Sequence, residues 1–304
     1  MTNLDVAPLW DSTVYNAGFI VVRPTPMGIR LYLMIRNQTQ NSKTLADQES
    51  LNIIIKQLLK KRQAPDFRMH ILRKHEFQSG YAYFEAPPGR LFPRDKDCSP
   101  WKPYCPLVVH NNWIISKSAK VYRFREHLMW LYDGDDRYYS SETRNFLTYT
   151  NPKKVAKVRQ LSALIAALAI GRLLNRVVIL PRFLCGTGPA YECPLNSLIR
   201  ISTFDAYFKG HFRESSFLGH PKVPDAVKRG IYDGTTELSR NRTDSTRLTS
   251  RKLIRLFGNI TARVLNVGNL FGVQIIFDDK VENEAFNDTI QKAIRRADYR
   301  QHPN

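Results

Sequence analysis

Residues 155–181 limit the possible folds of this chain more than any other segment. Residues 155–174 have the apolar pattern of a long helix, and residues 161–170 are almost entirely apolar. Residues 176–181 then carry a continuous apolar run typical of a buried strand. A helix followed at once by such a strand predicts an α/β unit. The apolar run is too short to cross a bilayer, so we predict a core helix and no membrane segment in this chain.

The remaining patterns agree with an α/β fold class. We predict strands at 18–23, 68–72, 81–84, 107–109, 264–267 and 273–277, and helices at 27–36, from 47, at 117–131, from 251 and at 284–299. A hydrophobic content of 43% allows a large core. Asn151-Pro152 is a plausible boundary, which predicts domains at 1–150 and 151–304.

The charge of the chain favours an anionic partner. Lys and Arg number 46 against 27 Asp and Glu, giving a formal net charge of +19. A nucleotide diphosphate, an acidic glycan, a membrane surface or a nucleic acid would satisfy this balance. The basic residues are scattered and do not form one patch with interleaved aromatics, so we predict no nucleic-acid partner.

The four cysteines form two short-range pairs, Cys98 with Cys105 and Cys185 with Cys193. Both pairs lie in loops that contain proline, which suits two local disulfides. Four reduced thiols are an equally good interpretation of the cysteines alone. Neither pair has the CxxC spacing of a zinc site.

Glycosylation sequons favour the disulfide interpretation and a lumenal compartment. Four N-x-S/T sequons occur, at Asn37, Asn241, Asn259 and Asn287. The first residues show no signal sequence and no anchor. A lumenal protein with this start needs an upstream segment to direct it; otherwise the protein is not lumenal.

Two polar motifs in the first half suit a sugar site. Asn16-Ala17-Gly18 stands before the predicted strand 18–23, where glycine allows close approach of a ligand and the Asn amide offers a donor and an acceptor. A simple turn onto the strand explains this tripeptide as well. Asp47-Gln48 begins a predicted helix, where an ordinary N-terminal carboxylate is the alternative.

A third motif combines a metal-binding residue type with a cation. His110 follows the predicted strand 107–109, and Lys117 follows seven residues later. An imidazole ligates divalent metals, and an ammonium group neutralises a departing diphosphate. A polar turn with a solvated lysine is the alternative interpretation.

The order of these motifs resembles a known family. The segments are Asn16-Ala17-Gly18-Phe19, Asp47-Gln48 with Leu51-Asn52, Phe77-Gln78-Ser79-Gly80, and His110-Asn111-Asn112-Trp113. In this order they resemble the nucleotide-diphospho-sugar transferase domain of glycosyltransferase family 77. Further along, Cys193-Pro194-Leu195 and Phe212-Arg213-Glu214 resemble the C-terminal extension of the plant extensin arabinosyltransferase branch.

The resemblance implies a partial GT-A-like domain followed by a C-terminal α/β extension. It implies a divalent metal, usually Mn²⁺, and transfer of a sugar from a nucleotide-sugar donor to a glycan or glycoprotein acceptor in the Golgi lumen. The parent would be a type II membrane protein with an N-terminal anchor.

The resemblance also implies a role for each motif residue, and we expect these residues to converge. His110 would bind the metal, and Lys117 would contact the diphosphate. Asn16, Gly18 and Gly80 would contact the donor sugar. Asp47 and Gln48 would form the catalytic polar pair beside the anomeric carbon.

One departure from the family concerns the metal. Family members carry an Asp-x-Asp motif upstream of the Asn-x-Gly segment, whereas only fifteen residues precede Asn16 and none form that motif. We therefore expect an N-terminally incomplete transferase that binds Mn²⁺ and nucleotide sugar weakly and transfers no sugar in this form. The alternative is a non-catalytic lumenal glycan-binding or scaffolding relative.

Overall fold

The computed structural model describes residues 4–11, 13–42, 44–60, 64–85, 106–134, 137–151, 157–186, 191–240 and 247–294. The chain divides into two compact units, Met1–Trp113 and Ile114–Asn304. Both units combine helices with parallel strands, which confirms the predicted α/β class. Within the described residues, each helix is too short or too polar to cross a membrane.

The first unit combines a hairpin, a parallel strand pair and two helices in its described part. The elements are β1 (Val6–Asp11), β2 (Val14–Val22), α1 (Pro26–Gln40), α2 (Asp47–Lys60), β3 (Phe77–Ser79) and β4 (Val108–His110). β1 and β2 pair antiparallel, and β3 and β4 pair parallel. Leu31, Leu51 and Ile55 form the centre of the core that includes α1, α2 and the hairpin. Thr25 caps α1 by accepting a 3.0 Å hydrogen bond from the Gly28 N–H.

Several predictions for the first unit were wrong in detail. The strand predicted at 18–23 starts at Val14, because the unpredicted strand β1 pairs with it. Asn16-Ala17-Gly18 therefore lies within a strand and not before one. Residues 81–84 form a π-helical turn, Tyr81–Glu85, whose start is fixed by a 3.3 Å hydrogen bond from the Ala82 N–H to Ser79 Oγ. Residues 68–72 contribute one bridge, between Met69 and Val6.

The second unit is organised around a parallel sheet. Its elements are α3 (Lys117–Glu126), β5 (Phe146–Thr150), α4 (Lys157–Leu173), β6 (Val177–Ile179), β7 (Phe183–Cys185), β8 (Tyr191–Cys193), α5 (Ile201–Phe208), β9 (Phe212–Arg213), α6 (Asp225–Arg229), β10 (Ile231–Asp233), α7 (Thr235–Arg240), β11 (Arg247–Thr249), α8 (Ser250–Phe257), β12 (Val264–Asn269), β13 (Gln274–Ile276) and α9 (Lys280–Ala293). The five-stranded sheet has the order β10-β12-β5-β6-β9, with every pair parallel.

The predicted helix–strand unit is present as α4 and β6. Leu164, Ala167 and Ile170 of α4 are fully buried in the main core of this unit. A Cβ atom at Gly171 would lie 2.7 Å from Val178 Cγ2, so glycine allows the end of α4 to lie close to β6. The small residues of this helix therefore set its close packing on the sheet.

The boundary between the units differs from the predicted one after residue 150. β5 is the central strand of the parallel sheet and pairs with both β6 and β12. Residues 114–150 therefore fold with the second unit, and the division lies between Trp113 and Ile114. The helix predicted at 117–131 ends at Glu126, and Leu128 adopts a φ of 57° just beyond it, a conformation that stops a helix.

One of the two predicted disulfides lies in the described residues and is confirmed. Cys185 and Cys193 are bonded across the antiparallel strands β7 and β8, with Cα atoms 5.7 Å apart. The predicted Cys98–Cys105 pair lies outside the described residues.

Removing this disulfide is expected to destabilise the fold. In the double variant Cys185→Ala/Cys193→Ala, the unfolded chain regains the freedom of the closed loop, which predicts a loss of about 2–3 kcal/mol in the free energy of unfolding. Denaturant unfolding measures this loss. A reductant should lower the stability of the parent chain more than that of the double variant. Equal stability of the two proteins would contradict the prediction.

The second unit also buries ionisable groups beside β9. The Tyr138 hydroxyl donates a 2.6 Å hydrogen bond to Glu214, and the Arg125 and Arg213 guanidinium carbons lie 3.4 and 4.0 Å from the centre of the Tyr138 ring. Burial raises the pKa of the Glu214 carboxyl. Burial also raises the pKa of Glu126 to about 8. The Glu126 Oε2 atom is buried and has no hydrogen-bond partner among the described residues.

Candidate functional site

The first unit carries a bulge in β2 at the predicted sugar motif. Leu9 pairs with Asn16 and Pro8 pairs with Ile20, which leaves residues 17–19 without partners on β1. Bulges of this kind are common beside active sites because they redirect backbone and side chains. The chain therefore presents the backbone of Ala17 and Gly18 outside the regular hairpin ladder.

Helix α2 holds this bulge with two polar side chains. Gln48 Oε1 accepts a 2.9 Å hydrogen bond from the Ala17 N–H. The Asn52 carboxamide accepts from the Tyr15 N–H at 2.9 Å and donates to the Tyr15 carbonyl at 2.8 Å. Bonds to the backbone on both sides of Asn16 fix the path of the chain into the bulge.

His110 packs directly against the bulge. It ends strand β4, where it pairs with Ser79 at the end of β3. A Cβ atom on Gly18 would lie 2.6 Å from His110 Nε2, closer than real contacts allow. Only glycine at position 18 lets the imidazole occupy this place.

Asp11 connects the elements of the site and was not predicted. This residue is only 4% exposed, and its carboxylate accepts from Asn16 Nδ2 at 3.2 Å, Asn112 Nδ2 at 2.5 Å and Trp113 Nε1 at 2.7 Å. Asn112 Oδ1 in turn accepts a 2.7 Å hydrogen bond from the Gly80 N–H. A buried carboxylate requires such donors. Asp11 thus holds the hairpin against the His110-Asn111-Asn112-Trp113 segment.

Asp11 was missed because its strand was missed. Residues 6–11 are a short, mostly apolar segment that contains Pro8, and they alternate only weakly between apolar and polar residues. The available signal was the spacing between Asp11 and Asn16, which suits a hairpin with polar side chains at its turn end.

The structure brings four of the predicted residues together within the first unit. Asn16, Gly18, Gly80 and His110 meet in the cluster around Asp11 and the bulge. Lys117 is exposed at the first position of α3, in the second unit.

Asp47 and Gln48 differ in their surroundings. The Gln48 side chain contacts the bulge, as described above. Asp47 is exposed at the start of α2, and its Oδ1 accepts a 2.7 Å hydrogen bond from the Gln48 N–H. Together with Ala17, Tyr32 and Arg36, Asp47 lines a groove of about 320 Å³ beside α1 and α2. None of the other predicted site residues lines this groove.

The described residues do not supply a complete metal site. No group of three or more His, Cys, Asp or Glu side chains in the described part of the chain could hold a metal ion. Near the bulge, the described residues supply the His110 imidazole as a metal ligand. The carboxylate oxygens of Asp11 already accept hydrogen bonds from three side chains. A divalent metal held by His110 would take its remaining ligands from water and from substrate phosphates.

A comparison with known families places these residues in context. Residues 3–124 match the family model described as nucleotide-diphospho-sugar transferase. The match includes Asp11, the bulge, both polar residues of α2, His110 and Lys117. No curated protein and no solved structure matches the chain.

The family match supports glycosyltransferase activity in general and a nucleotide sugar as the donor class. It agrees with the GT-A-like fold expected for the first part of the chain. The match ends within α3, so it covers little of the second unit.

Proposed function

We propose that this protein is a glycosyltransferase of the family 77 type that moves a sugar, with a pentose such as arabinose as the nearest analogy, onto a glycan or glycoprotein. The observation that supports the proposal most is the glycine contact between the β2 bulge and His110, inside the segment matched by the family. The glycine backbone has no side chain to block a ligand, and the imidazole beside it can bind or hydrogen-bond a phosphate, so this surface suits a sugar diphosphate.

In this proposal the residues of the site have distinct tasks. The bulge backbone at Gly18 lies against the donor sugar, and the His110 imidazole faces the departing diphosphate. Asn16 is a positioning residue, because its carboxamide accepts from the Gly18 N–H at 2.7 Å and donates to Asp11. Gln48 positions the bulge in the same way from the other side.

The exposed groups complete the proposed reaction. The Asp47 carboxylate is exposed beside Ala17 and is suited to accept the proton of the acceptor hydroxyl as a new bond forms to the anomeric carbon. Lys117, in the second unit, belongs to the proposal by family resemblance alone, as a diphosphate contact. Mn²⁺ belongs to the proposal by family resemblance alone; His110 is the residue that would hold it, and we assign no step to it.

We also propose a Golgi lumenal location for the protein, as part of a type II membrane protein with a cell-wall or extracellular glycan as product. The Cys185–Cys193 disulfide supports an oxidising compartment. The sequon residues Asn37, Asn259 and Asn287 are exposed, as glycan attachment requires. Asn241 lies outside the described residues.

His110→Ala is expected to lower the rate of sugar transfer by at least ~10²-fold. The loss of one preorganised contact to a developing negative charge lowers enzymatic rates by about this factor. Gly18→Ala should give a similar loss, because its Cβ displaces the imidazole. The assay follows release of nucleotide diphosphate from a nucleotide sugar with Mn²⁺, with and without acceptor. It uses this chain and a longer chain that carries an Asp-x-Asp segment upstream.

His70→Ala is the matched control, because it removes an exposed imidazole from the same unit. This variant should keep its rate within about twofold, as surface substitutions usually do. A His110→Ala protein that turns over donor as fast as the parent would contradict the proposed role. Rapid turnover by the short chain would contradict the expected inactivity of this form.

A second candidate function is a non-catalytic lumenal glycan-binding or scaffolding protein. The specific observation in its favour is that no group of three or more His, Cys, Asp or Glu side chains among the described residues could hold a metal ion. Glycan binding by both the short and the longer chain, without release of nucleotide diphosphate from either, would select this candidate.

A further inference from the structure

The loop 258–262 presents one of the glycosylation sequons in an open conformation. Helix α8 ends at Phe257, and the sequon residues 259–261 continue without helical structure towards β12. Asn259 and Thr261 are exposed, whereas Ile260 between them packs against the main core of the second unit. This alternation is that of an extended segment, in which residues i and i+2 lie on the same side. The Asn259 carboxamide and the Thr261 hydroxyl therefore face solvent together.

Arg176 holds this loop in place from inside the unit. This arginine is buried and stands directly before β6. Its guanidinium donates to the Ile260 carbonyl at 2.5 Å and to the Ala262 carbonyl at 2.8 Å. It also donates to the Phe146 carbonyl at 3.2 Å, at the start of β5. These bonds fix the backbone of the loop and involve neither the carboxamide nor the hydroxyl of the sequon.

The other two sequons in the described part of the chain lie inside helices. Asn37 is in the last turn of α1, and Asn287 is in the middle of α9. Successive residues of a helix are rotated by about 100°, so an Asn and the Thr two positions later point to opposite sides. The hydroxyls of Thr39 and Thr289 donate to the carbonyl groups four residues earlier, at 2.9 and 2.8 Å. In both helices the hydroxyl is therefore directed away from its Asn.

Local interactions favour these conformations before the fold is complete. Asp279 caps α9 by accepting a 3.0 Å hydrogen bond from the first turn, and Lys292 pairs with Asp288 one turn apart. Thr25 caps α1 in the same way. Helical turns form within about a microsecond, so they compete with an enzyme that acts on a nascent chain. Gly258 instead follows the end of α8 and leaves the next sequon outside the helix.

We propose that Asn259, and not Asn37 or Asn287, is the residue that carries an N-linked glycan. The inference rests on the lumenal location proposed above. The donor class is an oligosaccharide carried on a lipid diphosphate. A bond forms between Asn259 Nδ2 and the anomeric carbon of the first sugar, and the bond from that carbon to the diphosphate breaks. The amide proton passes to a base of the transferring enzyme, and the lipid diphosphate leaves.

The test directs the full chain into the endoplasmic reticulum of a eukaryotic cell with a cleavable secretion leader. Every protein in the series carries Asn241→Gln, because that sequon lies outside the described residues. Asn259→Gln should remove most of the attached glycan, whereas Asn37→Gln and Asn287→Gln should remove little. Intact mass before and after treatment with peptide N-glycosidase measures each loss. Secreted and cell-retained protein are both measured, so a variant that folds poorly is still read.

Two substitutions of Thr261 are the matched controls. Thr261→Ala removes the sequon hydroxyl and should abolish the glycan at Asn259, whereas Thr261→Ser keeps a sequon and should retain it. An unchanged glycan in Asn259→Gln, or a larger loss in Asn37→Gln or Asn287→Gln, would overturn the proposal. Absence of glycan from the parent chain would also overturn it. Because the leader sets the compartment, these results are independent of the natural location. A natural protein found outside the secretory pathway would contradict the location and leave the order of the sequons unchanged.

Discussion

Asp11→Ala is expected to lower the free energy of unfolding by about 3–5 kcal/mol, because three neutral hydrogen-bond donors share this one buried acceptor. The substitution removes the carboxylate that accepts from Asn16, Asn112 and Trp113, which are buried or half-buried. Each unsatisfied donor costs about 1–3 kcal/mol when water cannot reach it. Denaturant unfolding measures the loss, and Trp113 fluorescence reports the change at the site itself.

The control for this prediction is Asp66→Ala, which removes an exposed aspartate from the same unit. Its stability should stay within about 0.5 kcal/mol of the parent, as for most surface substitutions. The Asp11→Ala protein should also lose nucleotide-sugar binding, because the bulge and the His110 segment lose their connection. A loss of stability below about 1 kcal/mol would show that water or another group satisfies the three donors.

Glu126→Gln is expected to raise the free energy of unfolding at pH 7–8 above that of the parent protein. The folded-state pKa of Glu126 is about 8, against an ordinary value of 4.5, because burial disfavours its charged form. Between these two values the unfolded chain releases the proton and the folded chain keeps it, so the stability of the parent falls as the pH rises. At 1.36 kcal/mol per pH unit, the full penalty is on the order of 5 kcal/mol.

Glutamine stays neutral at every pH and retains the oxygen that accepts from the Leu195 N–H. Because the residue is partly exposed, we expect a gain of about 3 kcal/mol at pH 8 and almost none below pH 4.5. Unfolding free energies of both proteins across this range provide the test. Glu142→Gln, at an exposed position, should follow the parent curve. If the free energy of unfolding depended on pH in the same way for Glu126→Gln and for the parent, the prediction would be contradicted.

Segments with a strong local pattern were predictable from the sequence. The helix predicted at 155–174 is α4, and the helix predicted from Asp47 begins at that residue. Both have apolar residues at regular helical spacing, so the local pattern and the tertiary packing favour the same structure. The Cys185–Cys193 bond was predictable for a similar reason, because eight residues of separation place both cysteines in one hairpin.

The short elements of the first unit were not predictable in this way. Strand β1 and the bulge in β2 depend on pairing between segments, and neither segment alone has a clear alternation. The turn Tyr81–Glu85 has the aromatic composition of a strand, yet the Ser79 hydroxyl starts a helical turn there. Local propensity is weak over five residues, so a single tertiary contact decides the outcome.

For the candidate site, the sequence by itself determined which residues are present and in what order. Motifs along the chain identified the candidate positions, which are Asn16, Gly18, Asp47, Gln48, Gly80, His110 and Lys117. Only the tertiary structure decided that Gly18 faces His110, that Gln48 holds the bulge, and that Asp11 connects them. The reason is physical. A buried carboxylate and a glycine contact depend on groups up to about a hundred residues apart in sequence, and folding alone brings those groups to hydrogen-bonding distance.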